Sequence, residues 1–333
     1  MDDTDSAIGA SIDFEAEGKH HGHLIVPHSR DSSAWGSLLV PITVIRNGDG
    51  PTALLTGANH GDEYEGPIAL AKLRRDLEPG MVSGRIIMIP ALNYPAFKAA
   101  RRTSPIDGGN MNRAFPDRPD GTITEKIAHY VDSVLVPLAD TAVDIHSGGK
   151  TLNFLPAAII HRLAGGGLMD RTLAALTAFG APVGLILEEL DAAGMLDTAV
   201  ETRGKVFVST ELGGGTATPE TVSIAETGIR NVLKHIGVLE GQPDFPAGPT
   251  RLMHTPGAAY VIAGDDGLLE MLKSPGDAVL AGESAGVIHY VEHPDREPMI
   301  HRAEKDGILI ARHHPGLVER GDCLALIGED YSA

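Results

Sequence analysis

Cysteine is almost absent: Cys323 is the only one in 333 residues. A single thiol excludes an intramolecular disulfide and any metal knuckle built from cysteines, so a metal centre in this chain must draw on histidine and carboxylate. Aromatic residues make up only 4% of the chain, and no apolar run approaches the roughly 18 residues that a membrane-spanning helix needs. Basic residues are scarce too, 27 Lys and Arg against 45 Asp and Glu, and the formal charge of −18 argues against nucleic acid or an anionic membrane as partner. It is compatible with a cationic ligand, but the reading put ahead is an acidic surface that keeps the protein soluble. The N-terminus is acidic and polar, unlike a secretory leader, so a cytoplasmic protein is expected. At 42% apolar and 22% charged, the composition is that of a soluble globular protein.

What is present centres on Asn59-His60-Gly61-Asp62-Glu63. The apolar run Ala53-Leu54-Leu55-Thr56 reads as a buried strand, Gly57 to Gly61 as a turn, and Tyr64 to Leu77 as a helix with Pro67 in its first turn. His60 and Glu63 therefore sit at a strand-to-helix junction, where neutral nitrogen and anionic oxygen suit Zn²⁺. The best third ligand is His146 in Val143-Asp144-Ile145-His146-Ser147-Gly148-Gly149, again an apolar strand ending in a glycine turn. Two strand ends of one sheet meet at its carboxyl edge, and two His with one Glu leave a position for water, the pattern of a catalytic rather than a structural zinc.

From Ala53 to about Leu239 short apolar runs alternate with amphipathic stretches. Strands read at Ile86–Pro90, Ala142–His146, Leu155–Ile160, Val183–Leu187 and Val206–Thr210, and helices at Ile68–Leu77, Thr122–Leu135, Leu168–Phe179 and Pro219–Ile236. This predicts an α/β fold with a mostly parallel or mixed sheet and helices on both faces. Alternating apolar residues from Leu24 to Val44 predict an opening β-hairpin that carries His20, His21 and His23 on a wet face or edge. The expected division is a catalytic domain over 1–240, a Gly/Pro-rich linker over 241–250, and a small all-β domain over 251–333, whose close-spaced turns resemble a barrel-sandwich hybrid. Acyl carriers of that shape need a Lys at a hairpin tip, and the corresponding turn His293 to Pro298 has none, which rejects a carrier. Gly282-Glu283-Ser284-Ala285-Gly286 matches a nucleophile elbow, but a strand rather than a helix follows it.

Two further stretches carry chemistry. The loop Arg101 to Arg113 places guanidinium groups and amides together, so Asn112 and Arg113 can clamp a carboxylate while Arg102 polarises a carbonyl. The strand Val206 to Thr210 delivers Glu211 into Gly213-Gly214-Gly215, where burial is expected to raise its pKa and poise it as a general base.

Together these residues resemble the succinylglutamate desuccinylase and aspartoacylase family of zinc-dependent amide hydrolases, related to zinc carboxypeptidases. Asn59 to Glu63, Asn110 to Arg113, Asp144 to His146 and Glu211 follow the family order over about 52–237. The resemblance implies a zinc-carboxypeptidase-like mixed sheet, one zinc held by His60, Glu63 and His146, Glu211 as base, and Arg102, Asn112 and Arg113 on the substrate. Asp144, two residues before His146, is expected to orient that imidazole. The stretches 104–107, 117–122 and 205–211 look most like the members that remove acetate from N-alpha-acetyl-L-2,4-diaminobutyrate in ectoine breakdown. Aspartoacylase-like members carry an Arg ten residues before the base; Glu201 stands there in this chain, and an acid in that place should pair with an ammonium. Asp107 is a further substrate candidate, with Glu188, Glu189 and Asp191 as substitutes. Tyr260, Glu270 and His289 are unranked candidates in the C-terminal part. The expected partner is a small N-acetylated diamino acid, with a homo-oligomer left open. The alternatives are a deacylase of another N-acyl amino acid and a catalytically silent zinc-binding module.

Overall fold

The computed structural model describes residues 6–116, 118–188, 192–246, 248–257 and 259–331. Its elements in chain order begin with β1 (Gly9–Ala10), β2 (Gly18–Pro27), β3 (Ser37–Asn47), β4 (Thr52–Gly57), α1 (Glu65–Asp76), β5 (Gly84–Ile89) and α2 (Tyr94–Lys98). There follow α3 (Ile123–Tyr130), a wider π turn over Val131–Leu135, α4 (Val136–Leu138), β6 (Thr141–Ile145), β7 (Leu152–Phe154), β8 (Ala157–His161) and α5 (Gly167–Phe179). Then come β9 (Val183–Leu187), α6 (Leu196–Glu201), β10 (Val206–Glu211), α7 (Pro219–His235) and β11 (Arg251–His254). The remaining strands are β12 (Tyr260–Ile262), β13 (Gly267–Met271), β14 (Ala278–Val279), β15 (Ser284–His289), β16 (Met299–Arg302), β17 (Gly307–His313), β18 (Leu317–Val318) and β19 (Cys323–Asp330).

The centre of the main sheet runs β3-β5-β4-β6-β10-β8-β9-β11, with β4, β6 and β10 parallel and β8 antiparallel to β10. The sheet is mixed, as the alternation of apolar runs and helices predicts. Every residue of β4 and of β6 is buried, because side chains alternate between two covered faces. Leu55, Val143 and Val208 pack against α1, α5 and α7 on one face, through Leu70, Phe179 and Ile229 among others. Leu54, Ala142 and Phe207 pack on the other against α3 and α6, through Ile127, Leu196 and Val200. Capping boxes at Thr122 and Thr218 start α3 and α7 where the sequence places them.

The opening hairpin pairs Gly18–Pro27 with Ser37–Asn47. Within it His20 Nε2 meets the Glu17 carbonyl and His21 Nδ1 meets Thr43 Oγ1 at 2.9 Å, so these imidazoles are spent on local bonds. Beyond the linker, β11 joins β9 in parallel and β19 antiparallel, which carries C-terminal strands into the main sheet. Strands β16-β15-β13-β18 form a separate antiparallel sheet with its own core of Leu269, Ile288 and Leu309. The expected strand Leu155–Ile160 corresponds to β8, which starts only at Ala157, after Leu155-Pro156, and a further short strand not expected from the sequence, β7, precedes it. Proline has no N–H to donate to a ladder. The break lets β7 leave β8 and pair with β17, bringing C-terminal strands beside the loop that follows His146.

Candidate active site

The site lies where β4, β6 and β10 end. In register, Thr56, Asp144 and Ser209 stand side by side across these three strands, so whatever follows each of them emerges at one edge. Leaving β4, the chain turns through Ala58, a non-glycine residue at φ +48°. Such a conformation costs on the order of 1–3 kcal/mol and persists only where the surroundings hold it. Here the Leu92 and Asn93 amides donate to the Gly57 and Ala58 carbonyls at 2.8 and 3.0 Å. Gly61 follows, pressed against α2 so closely that a Cβ would lie 2.0 Å from the Ala96 carbonyl carbon, and only glycine fits there. The turn presents His60 and Glu63 inward, 3% and 2% exposed.

His60, Glu63 and His146 converge, each offering a ligand atom within 4.8 Å of the others. Glu63 Oε1 is 2.8 Å from His60 Nδ1, and Glu63 Oε2 is 3.0 Å from His146 Nδ1. On its far side the His146 imidazole meets Asp144 Oδ2 through Nε2 at 2.8 Å. Donation from Nε2 leaves the Nδ1 lone pair bare, and Nδ1 is buried without a hydrogen bond. His60 Nδ1 makes its 2.8 Å hydrogen bond to Glu63 Oε1 with Arg102 NH1 3.3 Å away, and His60 Nε2 is buried without a hydrogen bond. One nitrogen of each imidazole thus stands buried and unbonded beside a single carboxylate. This donor set fits a divalent metal, and the three residues can hold one.

The charges agree with that arrangement. Burial alone raises the Glu63 pKa, but the two imidazoles outweigh it and hold the carboxyl far below its ordinary value. Burial depresses His60, only partly opposed by Glu63, which favours the neutral ligand form. His146 is driven up despite burial by the Asp144 and Glu63 charges, and binding a cation would displace that proton.

Asp144 is itself fixed. Thr56 Oγ1 donates to Oδ1 at 2.7 Å and Asn59 Nδ2 to Oδ2 at 2.8 Å. Thr210 completes the frame: its hydroxyl donates to the His146 carbonyl at 2.9 Å while the His146 amide donates to it at 3.1 Å. Glu211 comes next in β10. It is half-buried rather than deeply buried, because it faces a cavity of about 300 Å³ that Arg113, Tyr260 and Cys323 also line. Apolar residues Leu152, Phe154, Ile159, Leu185 and Leu187 make much of the remaining wall. A second cavity, of about 540 Å³, holds Arg102, His313, Glu319 and Asp322 and shares Leu152 and Cys323 with the first.

Other residues named from the sequence fall in several places. Asn112 Oδ1 accepts from Asn59 Nδ2 at 3.3 Å and from the Leu196 amide at 3.1 Å, binding the arginine loop to the metal edge and to α6. Asp107 has both oxygens occupied, by the Gly109 amide and by the Thr124 amide and hydroxyl, so its charge holds the loop onto the start of α3. Glu201 is on α6 and contacts His161 at 2.9 Å. Glu188 pairs with Arg162 at 2.8 Å, Glu270 and His289 pair with each other, and Glu189 and Asp191 lie outside the described residues. Sequence reasoning assigned no role to Thr56, Asn59 or Asp62. Asp62, buried, accepts the Lys150 amide at 3.1 Å and pins the glycine turn after His146. Only the position of Asn59 and Asp62 inside the His60–Glu63 motif signalled them.

Residues 49–236, more than half of the chain, match the family model described as the succinylglutamate desuccinylase/aspartoacylase catalytic domain. The chain belongs to this family. It is 49% identical to the N-alpha-acetyl-L-2,4-diaminobutyric acid deacetylase of Halomonas elongata, over 97% of this chain and 95% of that one. Its structure resembles the product-bound ectoine utilization protein EutE (DoeB) of Ruegeria pomeroyi, with a TM-score of 0.95, 49% identity, and 97% and 99% of the two chains covered. An aspartoacylase family protein of Mesorhizobium loti superposes with a TM-score of 0.87 at 32% identity, covering 98% of this chain and 100% of that one. Among the described residues no helix is long and apolar enough to cross a membrane.

In this family member, Asp144 acts on the site only through His146 and Asn59. Asp144→Asn is expected to lower metal affinity by about 10- to 100-fold, the usual effect of losing a carboxylate behind a ligating imidazole. Competition with a chromophoric chelator measures it; unchanged affinity would remove Asp144 from the metal site.

Proposed function

We propose that the protein is a zinc-dependent amide hydrolase that removes acetate from N-alpha-acetyl-L-2,4-diaminobutyrate, releasing L-2,4-diaminobutyrate, in ectoine degradation in the cytoplasm. The similarity along 97% of the chain to a deacetylase of that compound carries the choice of substrate. The fit of the metal candidates, together with Glu211 and Arg113 on one cavity, supports the chemistry.

His60, Glu63 and His146 would hold the zinc, which supplies Lewis-acid polarisation of the acyl carbonyl and lowers the pKa of water. Glu211 takes the proton from the attacking water and later delivers it to the departing amine, one carboxylate serving as base and then as acid. Negative charge grows on the carbonyl oxygen beside Arg102, whose guanidinium already lies 3.7 Å from Glu63 and needs little movement to meet it. Asn112 and Arg113 bind the substrate carboxylate, and Arg113 is braced by its bond to the Asn112 carbonyl at 2.6 Å. Glu201 reads the side-chain ammonium.

Acetate release from the alpha-acetyl and gamma-acetyl isomers of diaminobutyrate, with acetyl-aspartate alongside, tests this reading. Turnover of the alpha isomer alone is expected. Preference for acetyl-aspartate would keep the hydrolase and overturn the substrate, and hydrolysis of none would overturn both.

A further inference from the structure

One side chain that the chemistry above does not use ties together the segments around the metal edge. Lys150 follows the glycine turn after His146, and its amide donates to Asp62 Oδ2, inside the His60–Glu63 motif, at 3.1 Å. Asp62 is buried, and Gly149 lies so close over its carboxylate that a Cβ there would be 3.0 Å from Oδ2. The turn is tied on its other flank as well. The Gly148 amide donates to the Gly213 carbonyl at 3.1 Å, and the Gly215 amide to the Gly149 carbonyl at 2.6 Å, so the backbone of Lys150 is a fixed post. From it the side chain crosses to a different loop, where Nζ donates to the Ala100 carbonyl at 2.5 Å.

Ala100 is a sensitive place to grip. It lies just past α2 in the left-handed region, at φ +50°, with its amide donating to the Phe97 carbonyl and the Arg101 amide to the Ala96 carbonyl, both at 3.1 Å. Helices that end this way favour glycine at that position, and an alanine there is strained unless its surroundings hold it. Two residues on stands Arg102. Neither Arg102 nor Thr103 makes a backbone hydrogen bond among the described residues, and the next backbone anchor is the Ser104 amide, bound to the Gly109 carbonyl at 2.9 Å. The Arg102 side chain is long and 43% exposed, so packing fixes little of it. The direction in which the chain leaves α2 therefore decides where the guanidinium points, and it points to within 3.3 Å of His60 and 3.7 Å of Glu63.

We propose that Lys150 is a positioning residue for Arg102, clamping the exit of α2 so that the guanidinium is aimed at the acyl oxygen before charge develops there. This rests on the proposed function, which sets Arg102 beside that oxygen, and adds the group that aims it. An ammonium on a carbonyl oxygen is a charge-assisted bond, strong enough to matter at a partly open surface. Its contribution is preorganisation, since a donor already in place needs no rearrangement in the transition state. The contacts also close a ring. Gly61 of the metal turn presses on the Ala96 carbonyl carbon at the end of α2, Asp62 holds Lys150, and Lys150 holds Ala100, which keeps Arg102 in place relative to His60 and Glu63.

A double-mutant cycle separates aiming from folding. Lys150→Met keeps the stem and loses the donor, while Arg102→Met loses the guanidinium. Acetate release from N-alpha-acetyl-L-2,4-diaminobutyrate by each metal-loaded enzyme gives kcat and KM, with metal content measured on the same samples. Arg102→Met should lower kcat by about 10² to 10³, the loss expected for a donor at a developing oxyanion. Lys150→Met should lower kcat about 10-fold through misplacement of that donor, with KM within about twofold and metal at the wild-type level. Lys150→Arg, which can donate to the same carbonyl, should return to within about threefold of wild type. In the double variant Lys150 has nothing left to aim, so its removal should cost less than about twofold beyond Arg102→Met alone. Losses that multiply would overturn the inference, as would a Lys150→Met enzyme short of metal or one with wild-type kcat. Arg102→Met at wild-type kcat would overturn the role given to Arg102, and the clamp with it, while a wild type that hydrolyses no acetylated amino acid would overturn the proposed function itself.

Discussion

Glu211→Gln lowers kcat for acetate release by about 10² to 10⁴ while metal content stays at the wild-type level, the range expected when a positioned general base is removed. The substitution keeps size and shape and takes away only the basic oxygen. Glu211 is not among the three residues that converge as a metal set, and the strand that carries it is anchored one residue earlier, where Thr210 clasps both the amide and the carbonyl of His146. Frame and ligands therefore survive. The loss should fall on kcat with little change in KM, because proton transfer matters in the transition state more than in the bound substrate. Acetate assays beside metal analysis of the same sample measure both terms. A variant within tenfold of wild type would show that another group takes the proton.

A larger loss is expected from Glu63→Gln, which should release the metal and reduce acetate production at least about 10³-fold. Among the described residues Glu63 is the only anion in direct contact with both imidazoles, at 2.8 and 3.0 Å, and its Oε2 also accepts the Ser147 amide at 3.2 Å. The variant keeps that amide bond through its carbonyl oxygen, but its NH₂ group then points toward an imidazole lone pair, and a neutral amide offers a divalent cation far less than a carboxylate does. Element analysis after dialysis should find the protein depleted of metal. Retention of a full equivalent would mean that the charge of Glu63 is not what binds it.

The sheet was legible because its central strands are short, largely apolar and followed by glycine turns, as in Ala53 to Thr56 and Val206 to Val208. The convergence of His60, Glu63 and His146 was legible for the same reason: each ends such a run or follows it in a motif. What stayed hidden depends on partners distant in sequence. Pro156 delays β8 to Ala157, and β7 just before it is only three residues long, too short to register as a strand in the sequence. Helix α6 is six residues long, too short for a 3.6-residue period to register, so Asp197 and Glu201 could not be seen to share a side. Asp107 heads an Asp-Gly-Gly turn, and that local chemistry rather than its charge proved informative, since both oxygens serve the turn and the Thr124 amide and hydroxyl. His161 looks like the polar end of a strand. Its meeting with acids from a helix 36 and 40 residues onward is visible only in the folded chain.

The most direct measurement is reconstitution. Protein stripped with a chelator and dialysed would be titrated with zinc while acetate release from N-alpha-acetyl-L-2,4-diaminobutyrate is followed. Activity should be absent at the start, rise linearly, and level off at one equivalent per chain, with Glu63→Gln showing no such break under the same titration. Undiminished activity in the stripped protein, or a rise that ignores the loss of Glu63, would contradict a metal held by His60, Glu63 and His146 as the centre of the reaction.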